Sequence, residues 1–143
     1  MSKKAKVETL HFEYFPIFAK GTAAALALSH SGAPWTGGAV QFQDWGAKKP
    51  TTPWGHVPLL TVPGMDAPIG HELPILNFIG RRFPSLGGES DRDYAASQQV
   101  LSEAEDIYQK FIKFVNTKFA KCAFGCQRPM IPSPRCASPQ VRS

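Results

Sequence analysis

Residues 53–60, PWGHVPLL, place a proline inside an apolar run. Pro58 has no N–H to give to a strand ladder, so backbone at this point is free to serve something other than a neighbouring strand. A cis bond before proline costs only about 0.5–1 kcal/mol relative to trans. A cis Val57–Pro58 bond would turn the N–H and C=O of Val57 outward, where an extended ligand backbone could pair with them as an added strand does. The alternative is an edge strand with an ordinary trans proline.

Other groups with chemical potential stand near strand and helix ends. Tyr14 closes a run, TLHFEY at 9–14, that alternates Leu10, Phe12 and Tyr14 against Thr9, His11 and Glu13, which predicts a half-buried strand. Trp45 and Lys49 follow a second apolar run, and an indole N–H and an ammonium both suit a carboxylate. His71 and Glu72 open the next helical stretch, where an acid is favoured by the helix dipole. Each has a plainer reading: a tyrosine packed at a strand end, a packed tryptophan, a solvated lysine, a simple N-terminal acid.

The elements that must position these groups are legible in order. Thr22 is a suitable N-cap for a helix over 23–29, and 31–34 breaks it. A second strand is expected at 39–42 (AVQF), parallel to the first because a crossover helix joins them. A strand over 57–62, a short one near 67–69 and a helix over 72–83 follow. The sequence 84–88 (PSLGG) reads as a connection. A longer helix begins near Ser90, with Tyr94, Leu101, Ala104, Tyr108, Phe111 and Val115 on one stripe and Glu103, Glu105, Asp106, Lys110 and Lys113 on the wet side.

The order W–KK–P–T–P–W–G–x–V–P–L–L–x–V–P–G followed by the helix ELPILNFI resembles the glutathione-binding domain of the soluble glutathione transferases, nearest the tyrosine-type sigma and mu branches. The resemblance runs from about residue 9 to 118. It implies an α/β fold: a thioredoxin-like domain of order β-α-β-α-β-β-α over 1–84, a linker at 85–89, the first helix of an incomplete all-α domain at 90–120, and a tail at 121–143. It implies a cytosolic enzyme that conjugates the thiolate of reduced glutathione to a small hydrophobic electrophile, as a homodimer. Glutathione enters as substrate, and no metal is called for.

By the same resemblance, Tyr14 matches the catalytic tyrosine that favours the thiolate. Trp45 and Lys49 match the pair that holds the glycyl carboxylate, and Val57, with Pro58, supplies the backbone pair to the cysteinyl unit. In the arginine motif YFxxRGRAE, this chain has YFPIFAKGT: Lys20 keeps one charge without the planar fork, and Phe18 replaces the other arginine. His71 and Glu72 stand where the family has Gln-Ser or Glu-Ser to receive the γ-glutamyl carboxylate. A carboxylate there is repulsive, so either Glu72 turns away or meets the γ-glutamyl ammonium while main-chain N–H groups take the carboxylate, or glutathione binding is impaired. The alternative function is a non-catalytic binding or scaffold protein of transferase type, or an inactive truncated fragment.

Composition bounds the remaining classes. With 43% hydrophobic and 19% charged residues the chain is globular in type, and no run of 18 apolar residues predicts a membrane span. The N-terminus has no apolar segment of the signal-peptide kind. The net charge is +5, but Lys121, Arg128, Arg135 and Arg142 lie in a stretch without acids, so residues 1–120 carry +1 and offer no basic stripe for nucleic acid. Cys122, Cys126 and Cys136 lie in that same stretch with neither CxxC nor histidine pairs, which argues against zinc and against dithiol chemistry at the first strand. Four prolines and no periodicity in 121–143 predict a loosely packed tail, with a frameshift or unspliced reading favoured over a naturally short relative.

Overall fold

The computed structural model describes residues 8–125 and, beyond Thr117, only the course of the backbone. The described chain divides into two compact units that part between Gln99 and Val100. The first unit is a thioredoxin-like mixed sheet of four strands in the order β2-β1-β3-β4 with helices packed on it.

Strand β1, Leu10–Tyr14, lies at the centre. It runs parallel to β2, Trp35–Ala39, with Leu10 opposite Trp35 and Tyr14 opposite Ala39. On its other side β3, Leu59–Thr61, is antiparallel, with Glu13 opposite Leu59. The short β4, Ile69–Gly70, completes the sheet against β3. Helices α1, Thr22–Ser31, and α3, Glu72–Arg82, both pack on the sheet and on each other. Leu10 and Phe12 of β1, Leu60 of β3, Ala24 and Leu28 of α1, and Ile75 and Ile79 of α3 form the buried core. Ile75 and Ile79 are one helical turn apart, so a single face of α3 enters it.

The second strand lies earlier than the apolar pattern predicts: Trp35–Ala39 replaces 39–42. Gly37 and Gly38 have poor strand propensity and hid it. The register is set by α1, which stops at Gly32 in the left-handed region (φ 71°). Ser31 closes that end by donating from Oγ to the Leu28 carbonyl (2.7 Å) and accepting from the Ala33 N–H. Trp35 then meets Phe12 edge to face. Val40 still donates to the Tyr14 carbonyl, after which the chain turns at Phe42–Asp44.

Three other boundaries differ. Gly21, not Thr22, is the N-cap of α1, and Thr22 is the first helical residue with no side-chain cap bond. A one-turn helix α4, Pro84–Gly87, occupies the stretch read as a plain connection, with proline in its favoured first-turn place. The last helix, α5, is Asp91–Gly125, so its backbone continues past residue 120; residues 126–143, where a loose tail is expected, lie outside the described residues.

The start of α5 is fixed by a capping box. Asp93 N–H donates to Ser90 Oγ (3.1 Å), while Ser90 Oγ–H and N–H both donate to the Asp93 carboxylate. The bond from the Ser90 hydroxyl is the main cause that holds the Asp93 carboxyl below its ordinary range, followed by the Ser90 main-chain bond. Because the folded-state value is depressed, this support is fully present above the ordinary carboxylate pKa and is lost as pH falls below it. Ser90→Ala is expected to cost about 1 kcal/mol of helix stability, read as faster amide exchange in the first turn of α5 with the sheet unaffected.

In the second unit, Leu101, Tyr108 and Val115 of the expected stripe are half-buried, whereas Ala104 and Phe111 are exposed. Val100, Ile107, Phe111 and Phe114 form a further exposed apolar row on α5. Among the described residues no helix is long and apolar enough to cross a membrane.

Candidate glutathione site

The C-terminal end of β1, the N-terminal approach to β3 and the start of α3 meet at one end of the sheet. Extending the β1–β3 pairing by one residue from Glu13–Leu59 puts Tyr14 opposite Pro58. The Val57–Pro58 bond is cis, as expected. Pro58 is fully buried and Val57 half-buried. The Val57 N–H and C=O have no main-chain partner among the described residues, while the Pro58 carbonyl accepts the His71 N–H (3.2 Å) and ties the start of α3 to this loop.

Trp45 and Lys49 are carried by a compact run of turns: Phe42–Asp44, the short helix α2 (Trp45–Lys48), then Lys49–Thr51 and Pro53–Gly55. Thr51 and Thr52 donate their hydroxyls to the Lys48 and Lys49 carbonyls (2.7 and 2.8 Å), which closes the run on itself. Two contacts bind it to β1. Lys48 pairs with Glu13, both partly buried. Phe15 stacks on Phe42 (4.8 Å between centroids) and stands edge-on to Trp45 (5.2 Å), with Tyr14 at 5.8 Å on its other flank. Trp45 is thereby held within one aromatic cluster with Tyr14.

The two adjacent lysines therefore differ. Lys48 is engaged by Glu13, whereas the Lys49 ammonium has no ion pair or hydrogen bond among the described residues, and its stem runs along Gly55. Gly55 and Trp54 both have positive φ (66° and 60°), a tight bend that glycine allows at the second of them.

His71 is the residue before the first turn of α3, also with positive φ (67°), and it makes no side-chain cap bond. Its ring lies 4.9 Å from that of His56, whose Nδ1–H donates to the Trp54 carbonyl in its own turn. Glu72 is half-buried and engaged. Lys20 sits in the turn before α1, half-buried and engaged, and Phe18 is fully exposed.

A cavity of about 520 Å³ opens beside Tyr14, its walls mainly apolar: Phe12, Ile17, Phe18, Ala25, Trp35 and Gly37 among others. It lies between α1 and the β1–β2 edge, with Gly37, whose missing side chain would meet the Trp35 ring, in its wall. Among the described residues no group of three or more potential ligands could hold a metal ion.

Comparison with known proteins bears on this arrangement. No known family profile matches the chain. A probable glutathione S-transferase 6 of Caenorhabditis elegans is 28% identical over 93 residues, 65% of this chain and 44% of the relative. Glutathione S-transferase 1 of Ascaris suum is 30% identical over 94 residues, 66% of this chain and 44% of the relative. The sigma class transferase structure of Fasciola hepatica superposes with a TM-score of 0.66 at 26% identity, covering 76% of this chain and 52% of that one. These relatives and this fold neighbour are glutathione S-transferases. The chain spans about half the length of the curated relatives it matches.

With the transferase resemblance in hand, three features of the site have no counterpart in sequence spacing. The Glu13–Lys48 strap joins residues 35 apart. Phe15 clamps the Phe42–Trp45 turn, stacking on Phe42 and meeting Trp45 edge-on, from 27 and 30 residues away. His56 joins His71 only because the loop before β3 folds back on the start of α3. None of these leaves a local signal.

Proposed function

We propose that this chain binds reduced glutathione at the end of the sheet and uses Tyr14 to favour its thiolate for attack on an apolar electrophile, the reaction of a cytosolic glutathione transferase. The observation that carries the reading is the convergence of Tyr14, the Val57–Pro58 loop and the segment bearing Trp45 and Lys49 on one end of one sheet. In this reading the free main-chain groups of Val57 pair with the cysteinyl unit, and Lys49 with Trp45 takes the glycyl carboxylate. Main-chain N–H groups in the first turn of α3 face the γ-glutamyl end. The thiol proton leaves to solvent, the Tyr14 hydroxyl donates a hydrogen bond to the sulfur, and the thiolate displaces a leaving group or adds to the electrophile. The apolar cavity beside Tyr14 favours a hydrophobic partner.

Two departures from the motif favour a second reading, a transferase-like binding or scaffold protein. Glu72 stands where the family resemblance puts a hydroxyl, and Phe18 where it puts an arginine. Titration calorimetry with glutathione, paired with turnover of an aryl halide, separates the two. Binding with turnover supports the enzyme, binding without turnover supports the scaffold, and absence of binding overturns both.

The same proposal includes a homodimer, with the domain limits 1–84 and 90–120 and a linker between them. The exposed row Val100, Ile107, Phe111 and Phe114 is what supports self-association. Sedimentation of the full chain is expected to show association that rises with concentration. A soluble monomer at high concentration would count against it.

A further inference from the structure

The imidazole rings of His56 and His71 lie 4.9 Å apart, inclined by 37°, and both side chains are exposed. They flank the Val57–Pro58 loop. His56 precedes Val57, whose main-chain N–H and C=O have no main-chain partner among the described residues, and the His71 N–H is bound to the Pro58 carbonyl (3.2 Å). Among the described residues no hydrogen bond engages the His71 ring. Its backbone stands at a positive φ (67°) that a residue with a β-carbon rarely adopts.

The hydrogen bond of His56 fixes its chemistry. Its Nδ1–H is committed to the Trp54 carbonyl, which can only accept. In the neutral ring Nε2 then carries a lone pair and no proton, so it can accept a bond but cannot give one. Only the imidazolium has an N–H at Nε2 to offer an anion. A neutral His56 is no receiver of a carboxylate, and a charged one is. His71 keeps one N–H when neutral, and protonation adds the charge.

Of the elements packed on these two residues, β4 and α4 carry no titratable side chain, 49–51 brings Lys49, and α1 brings only His30, in its last turn. Helix α5 reaches α3 through Gln98 at Asn77 and through Tyr94 at Arg81. Helix α3 itself brings Arg81 and Arg82 in its last turn and Glu72 in its first. Glu72 is the carboxylate at the γ-glutamyl end, and a charged histidine pair beside it offsets its repulsion of an incoming anion.

We propose that His56 and His71 together receive the γ-glutamyl carboxylate, a two-ring site that holds the tripeptide more tightly once its imidazoles are charged. This rests on the glutathione reading above. A ligand that prefers the charged pair takes up protons as it binds. The gain in affinity is therefore present in full below the ordinary histidine range, about 6.5, and is lost as pH rises past neutrality.

The probe is S-methylglutathione, whose thioether has no proton to lose and whose carboxylates stay ionised between pH 5.5 and 7.5. Calorimetry of the full chain in buffers of different ionisation enthalpy reads both the dissociation constant and the protons taken up. The dissociation constant is expected to fall about three- to tenfold from pH 7.5 to 5.5, the scale of two exposed charge pairs, with net proton uptake near pH 6.5. His56→Gln and His71→Gln should each remove part of that gain, leave affinity at pH 7.5 within about twofold of the parent, and together abolish the uptake. The other two histidines serve as controls: His11→Gln, which loses the bond to Thr36, and His30→Gln should leave the proton linkage intact. S-methylglutathione bound without proton uptake, or uptake that survives in the double His56→Gln, His71→Gln variant, overturns the inference and leaves the glutathione reading standing. A parent chain that binds no S-methylglutathione anywhere in this pH range overturns that reading and the inference with it.

Discussion

Tyr14→Phe is expected to slow glutathione conjugation near neutral pH by roughly ten- to a hundredfold, because one hydrogen bond to a charged group is worth about 1.5–3 kcal/mol. The direction follows from the chemistry of the nucleophile. An unassisted thiol has a pKa of about 8.5 and is mostly protonated at neutral pH. A hydroxyl that donates to the sulfur stabilises the charged form and lowers that pKa. Without it the thiolate fraction falls below the free-thiol pKa and recovers above it. The deficit should therefore be largest at neutral or lower pH and shrink as pH rises past about 8.5. Glutathione affinity should change little, since the contacts assigned to binding come from Trp45, Lys49 and the backbone of Val57. The phenylalanine ring keeps the contacts with Phe15 and Gly21, so the fold is not perturbed. A pH–rate profile of the variant beside the parent, with calorimetric affinities, measures both. Unchanged activity, or loss through weaker binding alone, would assign Tyr14 a packing role.

The sequence made Tyr14, β1 and the PWGHVPLL loop legible because each is encoded locally. Alternation from Leu10 to Tyr14 specifies a strand and its buried face, and the structure buries Leu10 and Phe12 as that alternation requires. A proline at position 58 restricts its own backbone, and the cis bond before it is seen. Helix α3 was legible from the apolar spacing that buries Ile75 and Ile79. Strand β2 was not, because its pairing energy comes from β1 while Gly37 and Gly38 carry no strand signal of their own. The start of α1 shifted by one residue because the Gly21 carbonyl accepts the first helical bond, from Ala25, so Thr22 is already helical. The strap and the aromatic clamp that hold the Trp45–Lys49 segment are also tertiary, and no spacing rule predicts them.

That segment carries the second large effect, because adjacent lysines were given different tasks by the fold. Lys49→Met should weaken glutathione binding by roughly ten- to a hundredfold, the equivalent of about 1.5–3 kcal/mol for a lost bond to a carboxylate. Its ammonium is unengaged among the described residues, so the substitution leaves no orphaned partner in the free protein. Methionine keeps the stem that lies along Gly55. Lys48→Met removes an ion pair whose side chains retain 31% and 22% of their exposure. A pair that wet is worth about 0.2–1 kcal/mol, and the Phe15–Phe42 stack still anchors the run. Its effect on affinity should therefore stay under about tenfold. Salt separates them further: the Lys49 contribution, made to a charged ligand, should fade as ionic strength rises, while affinity in Lys49→Met should depend on salt less than in the parent. Calorimetry of both variants across a salt series is the measurement. If Lys48→Met weakens binding more than Lys49→Met does, the carboxylate has been given to the wrong lysine.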